Sequence, residues 1–190
     1  SAAMAFEAHD VTIQIPLGPA STANRQPPTA NWKIDVPADP RIAKTLEAQL
    51  RYILINRDGP SIQPGSRSYE RSWIRDGSLT STALLRLGQR EVVREFLEWY
   101  AKAVSPVGYV PCCVSTSGAP DPVPEHDSHG QFIYLVAEYY RHTHDRALAE
   151  STWPVVQRVV QYIDKLRHQR MTGQYRGTPF YGMVPESISH

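Results

Sequence analysis

Acidic residues stand at the expected starts of three helices, at intervals of about 50 to 60 residues, a period found in arrays of helical hairpins. Asp76, Asp127 and Glu186 occupy these three places. A carboxylate at a helix N-terminus is favoured as a cap and by the helix dipole, so each residue alone has a structural explanation. They recur at the same place ahead of alternate helices, namely the second, the fourth and the point where a sixth would begin. This recurrence indicates a shared functional site.

Aromatic and basic residues accompany the first of these acids. Tyr69, Trp73 and Arg75 precede Asp76 in the stretch RSYERSWIRDGSLT. The CH faces of a sugar ring stack on Trp or Tyr, and its hydroxyl groups bind to charged bidentate partners. This combination of residue types predicts a carbohydrate-binding loop.

Five helices are predicted to position these loops. Hydrophobic spacing and capping residues place them at about 39–56, 76–87, 89–104, 127–144 and 146–167. The first, third and fifth are long and amphipathic, whereas the second and fourth are shorter and more uniformly apolar. This alternation is typical of outer and inner helices in a layered array. If the inner helices are parallel, their acidic entrances meet at one end.

The remaining segments are predicted to be mostly irregular. Residues 1–38 form an extended arm with an edge strand at Val11–Ile15, and Ser1–Ala3 are interpreted as residues added before Met4. The Pro- and Gly-rich stretch 105–124 is expected to be a long loop with a small β-hairpin around Tyr109–Val114. Pro154 should kink the fifth helix or start a second segment.

Composition excludes several classes of function. With 20 basic and 19 acidic residues, the chain lacks the overall charge that recruits nucleic acid. It also lacks an apolar run long enough to span a membrane. Cys112 and Cys113 are adjacent, which argues against a disulfide framework or a zinc pattern. We therefore expect a soluble globular protein without a metal or cofactor, and the sequence does not specify its compartment.

Four motifs then carry a resemblance to a known family. Tyr69 with Trp73-Ile74-Arg75-Asp76 resembles the Tyr-x-x-x-Trp-x-Arg-Asp loop of glucoamylase-like six-hairpin glycosidases. The segment Pro124-Glu125-His126-Asp127-Ser128 resembles their Pro-Gln-Asn-Asp-Gly entrance, and Trp153-Pro154-Val155-Val156 is similar to their Trp-Pro-Ile-Val. Gly182–His190 lies where the family carries its general-acid Glu. The resemblance extends in order from about Asp39 to His190.

The resemblance implies roles for these residues. Arg75 and Asp76 would hold sugar hydroxyls, with Tyr69 and Trp73 lining the same subsite. Glu186 would be the general acid of an inverting hydrolysis of an oligo- or polysaccharide. Because Pro-Glu-Ser stands here in place of the family's Trp-Glu-Glu, Glu125 is a second candidate. Asp127 would order the pocket or cap the fourth helix.

The same resemblance implies an all-α fold, an (α/α)6 six-hairpin toroid of which this chain supplies about the first half. Residues 39–190 would be part of the catalytic domain, and the family's base would come from a later hairpin. Half a ring leaves inner helices uncovered, so the remainder of the barrel or a second copy is the expected protein partner. The chain alone is expected to be inactive, and hydrolysis is expected of the full-length product.

Three alternatives stay open on the sequence. A six-hairpin protein can keep the Arg75–Asp76 sugar clamp without catalysis. A metal site could use His126 and His129, which lie three residues apart, with Glu125 and Asp127. A helical-repeat scaffold for protein partners would explain the alternating helices. It would not explain the aromatic and acidic residues ahead of each inner helix.

Overall fold

The structure is a computed structural model that describes residues 3–8, 11–16, 33–35 and 39–188. Contacts between Cα atoms divide the chain into two units, Ser1–Ile55 and Asn56–His190. The helix that begins at Pro40 therefore groups with the N-terminal strands. The start of the catalytic domain after residue 38 stays a prediction.

The described residues of the N-terminal unit form a three-stranded antiparallel sheet and one helix. The strands are β1 (Ala3–Ala8), β2 (Val11–Pro16) and β3 (Lys33–Asp35), in the order β1-β2-β3. The strand expected at Val11–Ile15 is confirmed, but it is central and not at an edge, because β1 and β3 pair on either side. The helix α1 (Pro40–Ile55) follows Asp39, as predicted.

Across residues 56–188, the second unit has four α-helices, one 3-10 turn and two short strands. The helices are α2 (Ile74–Arg86), α3 (Arg90–Ala103), α4 (Asp127–Thr143) and α5 (Arg146–His168). A two-stranded antiparallel sheet joins β4 (Arg71–Trp73) to β5 (Cys113–Ser115). The predicted helices and the predicted all-α class are confirmed.

Local sequence explains where these helices end and begin. Gly88 follows α2 with a φ of +75°, a conformation that glycine adopts without steric cost. Its N–H binds the carbonyl of Leu85 and the N–H of Gln89 binds that of Leu84, the Schellman pattern that stops a helix. Asp145 caps α5 by accepting a hydrogen bond from the N–H of Leu148 at 3.0 Å.

Two local expectations are met only in part. The fifth helix continues through Pro154, so no second segment starts there, and the expected kink stays a prediction. The exposed position of Pro154 lets water reach the backbone group that proline leaves unpaired. The strand expected near Val114 is present and pairs with Arg71–Trp73. A long-range partner of this kind has no signal in the local sequence. The chain also turns back after this strand, because Val114 bridges to Pro120 and the N–H of Asp121 donates to the carbonyl of Cys113 at 2.9 Å.

The helices α2 and α4, which the sequence predicts to be inner helices, pack against each other and are parallel. Ser78 binds Gln131 at 2.7 Å and Thr82 binds Tyr134 at 3.0 Å, so residue numbers rise together along both helices. The helices α3 and α5 pack beside them and contribute Phe96, Tyr100 and Val159 to the core. The entrances of α2 and α4 therefore lie at the same end.

Among the described residues, no helix is both long and apolar enough to cross a bilayer.

Candidate functional site

The entrance of α2 presents two aromatic rings and two charged groups. Tyr69 ends a single 3-10 turn and is 61% exposed, and its ring centroid lies 6.0 Å from that of Trp73. Trp73 is half-buried in an extended conformation just before α2 begins. Arg75 and Asp76 follow within the first helical turn. All four residues predicted for a sugar loop thus lie on one short segment.

Buried polar contacts fix this segment to the core. The hydroxyl of Ser72 donates to the carbonyl of Ile62 at 2.7 Å, and Ser72 itself is fully buried. The backbone of Trp73 pairs with Cys113, and the N–H of Ile74 donates to the carbonyl of Cys112 at 3.0 Å. Because buried polar groups are costly without partners, these bonds select one conformation for the loop.

Arg75 binds two carboxylates at the entrance of α4. Its Nε donates to Oδ2 of Asp127 at 2.7 Å, and its Nη2 donates to Oε2 of Glu125 at 3.0 Å. Glu125 is buried whereas Asp127 is partly exposed. The acidic entrance predicted ahead of α4 therefore contacts the predicted sugar loop directly.

Electrostatic effects keep the Arg75 guanidinium charged. The hydrogen bond to Asp127 raises the pKa of Arg75, and the charges of Glu125 and Asp76 act in the same direction. Asp76 is exposed in the first turn of α2. Asp127 is the first residue of α4, but its carboxylate binds Arg75 while His126 occupies the capping position without a side-chain cap. Of the two roles predicted for Asp127, only the ordering role matches this contact.

The segment around Glu186 reaches the start of α4 through a hydrogen bond between a backbone N–H and a side-chain hydroxyl. The N–H of His126 donates to the hydroxyl of Ser187 at 3.1 Å. Ser187 follows Glu186 in the chain, so the segment predicted to carry the general acid lies against the start of α4. The three entrances are thus connected in series by contacts through Arg75 and His126.

Glu186 itself contacts Arg170, just beyond the end of α5. Its carboxylate forms an ion pair with the Arg170 guanidinium, and its side chain is 84% exposed. A hydrogen bond from its own backbone and the pair with Arg170 lower the pKa of Glu186. A general acid needs the opposite, a pKa raised toward the working pH. In this conformation Glu186 is therefore a charged carboxylate.

Arg170, the partner of Glu186, is a residue that the sequence did not identify. It is 7% exposed, and its guanidinium carbon lies 5.6 Å from the ring centroid of Tyr175 and 5.5 Å from that of Phe180. Cation–π contacts of this kind stabilise a partly desolvated guanidinium. An arginine two residues past a helix has no spacing pattern that would reveal this role.

A histidine pair lies behind the entrance of α4. The ring centroids of His126 and His129 are 6.0 Å apart, and burial lowers the pKa of His129 to about 4. His129 packs between the rings of Tyr109 and Tyr162, and both of its ring nitrogens are buried without a partner among the described residues. No group of three or more potential metal ligands occurs within that part of the chain. The metal alternative thus gains no support from this cluster.

Comparison with known proteins identifies the family. A search of curated proteins gave no significant match. The family model for glycosyl hydrolases family 15 matches residues 19–158, about three quarters of the chain. The match includes the sugar loop and the entrance of α4, whereas Glu186 and Arg170 lie beyond it. The resemblance to glucoamylase-like six-hairpin glycosidases is confirmed, and the chain belongs to glycosyl hydrolases family 15.

Proposed function

We propose that this protein is the sugar-binding part of a glycoside hydrolase that cleaves oligo- or polysaccharides. The observation that carries the proposal is the contact of Arg75 with Glu125 and Asp127, since it joins the two acidic entrances within the family match. A rigid guanidinium flanked by carboxylates and aromatic rings suits the hydroxyl groups and CH faces of a sugar.

In this proposal the α2 entrance forms the subsite before the scissile bond. Tyr69 and Trp73 provide stacking surfaces, and their rings lie close enough to contact one sugar residue together. Arg75 and Asp76 bind hydroxyl groups. Glu125 and Asp127 hold the Arg75 guanidinium in place, so that little side-chain entropy is lost when the sugar binds.

Glu186 is the proposed general acid, and Glu125 is the second candidate. For Glu186 to donate a proton to the leaving oxygen, its carboxyl must leave Arg170 and enter a less solvated position. Glu186 is exposed and lies next to the hydrogen bond between Ser187 and His126, so a short movement of this segment could bring it toward the sugar. Inversion also requires a base about 6.5 to 9.5 Å from the acid to activate water.

A non-catalytic carbohydrate-binding protein is the second candidate function. The ion pair between Glu186 and Arg170 favours it, because it keeps the proposed acid ionised. The sugar loop at Tyr69–Asp76 does not depend on that pair. Binding could therefore persist without hydrolysis.

A panel of oligosaccharides of both anomeric types separates these functions. The 190-residue chain and any longer product of the same gene are incubated with each saccharide, and reducing ends are quantified. Proton NMR of the early product reports the anomer and hence inversion or retention. The longer product is expected to hydrolyse at least one saccharide with inversion.

Matched variants test the acid. Glu186→Gln should lower the turnover number by about 10²- to 10⁴-fold, the usual contribution of a general acid. Glu150→Gln makes the same charge change at an exposed ion pair on α5 and should leave activity unchanged. Equal activity of Glu186→Gln and the wild type would exclude Glu186. Saccharide binding without hydrolysis by any form would favour the non-catalytic function.

A further inference from the structure

Two adjacent thiols lie beneath the sugar loop. Cys112 and Cys113 are both free, and 1% and 2% of their surface is exposed. Their sulfur atoms are 3.7 Å apart, and the thiol of Cys112 donates a hydrogen bond to the sulfur of Cys113. The side chains of neighbouring residues in a strand usually point to opposite faces. Here the two sulfur atoms are in contact.

The backbone of this pair is bonded to the start of α2. Cys113 pairs with Trp73 across the small sheet, and the carbonyl of Cys112 accepts from the N–H of Ile74. Trp73 and Ile74 immediately precede Arg75. A rotation of the peptide between the two cysteines would therefore move the residues that position the sugar loop.

The two thiols are not equivalent. The hydrogen bond from Cys112 and the nearby Arg71 guanidinium lower the pKa of Cys113. Donation of that same bond, together with burial, raises the pKa of Cys112. The thiolate is the reactive form of cysteine, so Cys113 is the nucleophile of the pair and Cys112 the second thiol.

We propose that Cys112 and Cys113 form a reversible oxidation site. A small hydroperoxide oxidises the two thiols to a disulfide between these adjacent residues. The Cys113 thiolate attacks the hydroperoxide oxygen and becomes a sulfenic acid, while the O–O bond breaks and an alcohol or water leaves. The Cys112 sulfur then attacks Cys113, its proton joins the departing hydroxide, and water is released. Two thiols are oxidised by two electrons, and one hydroperoxide is reduced.

The geometry favours a disulfide that is easily reduced. Adjacent Cα atoms are about 3.8 Å apart, shorter than the roughly 4.4 to 6.8 Å that a relaxed disulfide spans. The sulfur atoms must also move closer from 3.7 Å to a bond length of about 2.0 Å. Strained disulfides are typically labile or regulatory. The bond would thus act as a switch and not as a structural crosslink.

The test counts thiols in the wild-type chain. The folded protein is exposed to hydrogen peroxide, quenched, unfolded and alkylated, and its intact mass is measured. We expect two alkyl groups per chain before oxidation, none after oxidation, and two again after treatment with dithiothreitol. The oxidised protein should be a monomer that is lighter by two hydrogen atoms than the reduced, unalkylated chain. Any of three results would overturn the proposal: two alkyl groups per chain after peroxide treatment, a covalent dimer, or a loss of alkylatable thiols that dithiothreitol does not reverse.

Single variants and hydrogen exchange test the order of attack and its effect. Cys112→Ser should accumulate a sulfenic acid that dimedone traps, whereas Cys113→Ser should retain an unoxidised thiol. Equal oxidation of the two variants would contradict the assignment of Cys113. In the oxidised wild type, the amide of Ile74 should exchange faster while that of Leu97 in α3 is unchanged. Identical exchange at Ile74 would overturn the link to the sugar loop.

Discussion

Arg75 and Glu125 are 50 residues apart in the chain, yet the Arg75 guanidinium nitrogen Nη2 lies 3.0 Å from the Glu125 carboxylate oxygen Oε2. The carboxylate is 2% exposed and the guanidinium side chain 32% exposed. A buried carboxylate is costly unless a donor compensates the water it has lost. This pair therefore fastens the start of α2 to the start of α4.

Removal of the guanidinium should destabilise the fold. We expect Arg75→Met to lower the free energy of unfolding by about 1–3 kcal/mol, because the buried Glu125 carboxylate loses a charged donor. Urea unfolding of the purified chain, followed by circular dichroism, measures the change. Arg71→Met is the matched control, since Arg71 pairs with Asp121 at 3.0 Å but is 51% exposed. Its cost should be within about 1 kcal/mol. Equal effects of the two substitutions would contradict the structural role of Arg75.

The sequence predicted the helices and the acidic entrances of α2 and α4, because hydrophobic spacing and capping are local properties. It also predicted that these two entrances meet, since α2 and α4 have the composition of parallel inner helices. It did not identify Arg75 as the group that Asp127 binds, nor β4 as the partner of β5. Both contacts join residues that are far apart in the sequence. Residue spacing along the chain does not show which distant residues the fold brings together.

Close packing of α2 on α3 depends on Gly77. A Cβ atom added there would lie 2.3 Å from Cζ of Phe96, so this fully buried ring or the helix backbone would have to shift. We expect Gly77→Ala to lower the free energy of unfolding by about 1–3 kcal/mol through overpacking. Gly130→Ala is the matched helical control, because Gly130 is exposed and its added Cβ would meet no atom within 4 Å. It should stabilise the chain by up to about 1 kcal/mol. A neutral Gly77→Ala in urea unfolding would contradict the close approach.

Acid should destabilise the chain through His129. Burial lowers its pKa from 6.5 to about 4, and burial lowers the pKa of His126 as well. Between pH 6.5 and about pH 4, His129 binds more protons in the unfolded state than in the folded state. The stability that the neutral His129 ring contributes is therefore complete above about pH 6.5 and is lost as the pH falls to about 4. Urea unfolding across this range measures the slope. His129→Phe replaces one ring by another and should flatten the slope, leaving the smaller contribution of His126. An unchanged slope would show that His129 does not titrate in this way.

Arg170 should control the ionisation of Glu186. In the wild type the carboxylate is held in an ion pair, and its pKa lies below the ordinary value of 4.5. We expect Arg170→Met to raise the pKa of Glu186 toward that value, as measured by carbon NMR of the side-chain carboxyl. Arg146→Met, which removes the partner of the exposed Glu150, is the control and should leave Glu186 unchanged. If the pKa of Glu186 is the same in Arg170→Met and the wild type, the pair does not form in solution.

The environment of the proposed general acid was the least predictable feature. The resemblance indicates Glu186, yet the side chain that binds its carboxylate is that of Arg170, which belongs to no motif. Burial of Arg170 against Tyr175 and Phe180 arises from the path of the segment after α5. The facing orientation of Cys112 and Cys113 likewise depends on the loop that carries β5. Both features result from tertiary packing, which residue order alone does not specify.

Saccharide binding by Asp76→Asn tests the central claim most directly. Asp76 is exposed in the first turn of α2, so the substitution removes the carboxylate that is proposed to bind sugar without disturbing the core. Asp164→Asn on α5 is the control, with a side chain 53% exposed. Saturation-transfer NMR with the saccharide that the wild type binds best measures the dissociation constant. A charge-assisted hydrogen bond contributes about 1.5–3 kcal/mol. Its loss in Asp76→Asn should therefore raise the dissociation constant by about 10- to 150-fold. The dissociation constant of Asp164→Asn should be unchanged. Equal binding by Asp76→Asn and the wild type, or no saccharide bound by the wild type, would contradict the account.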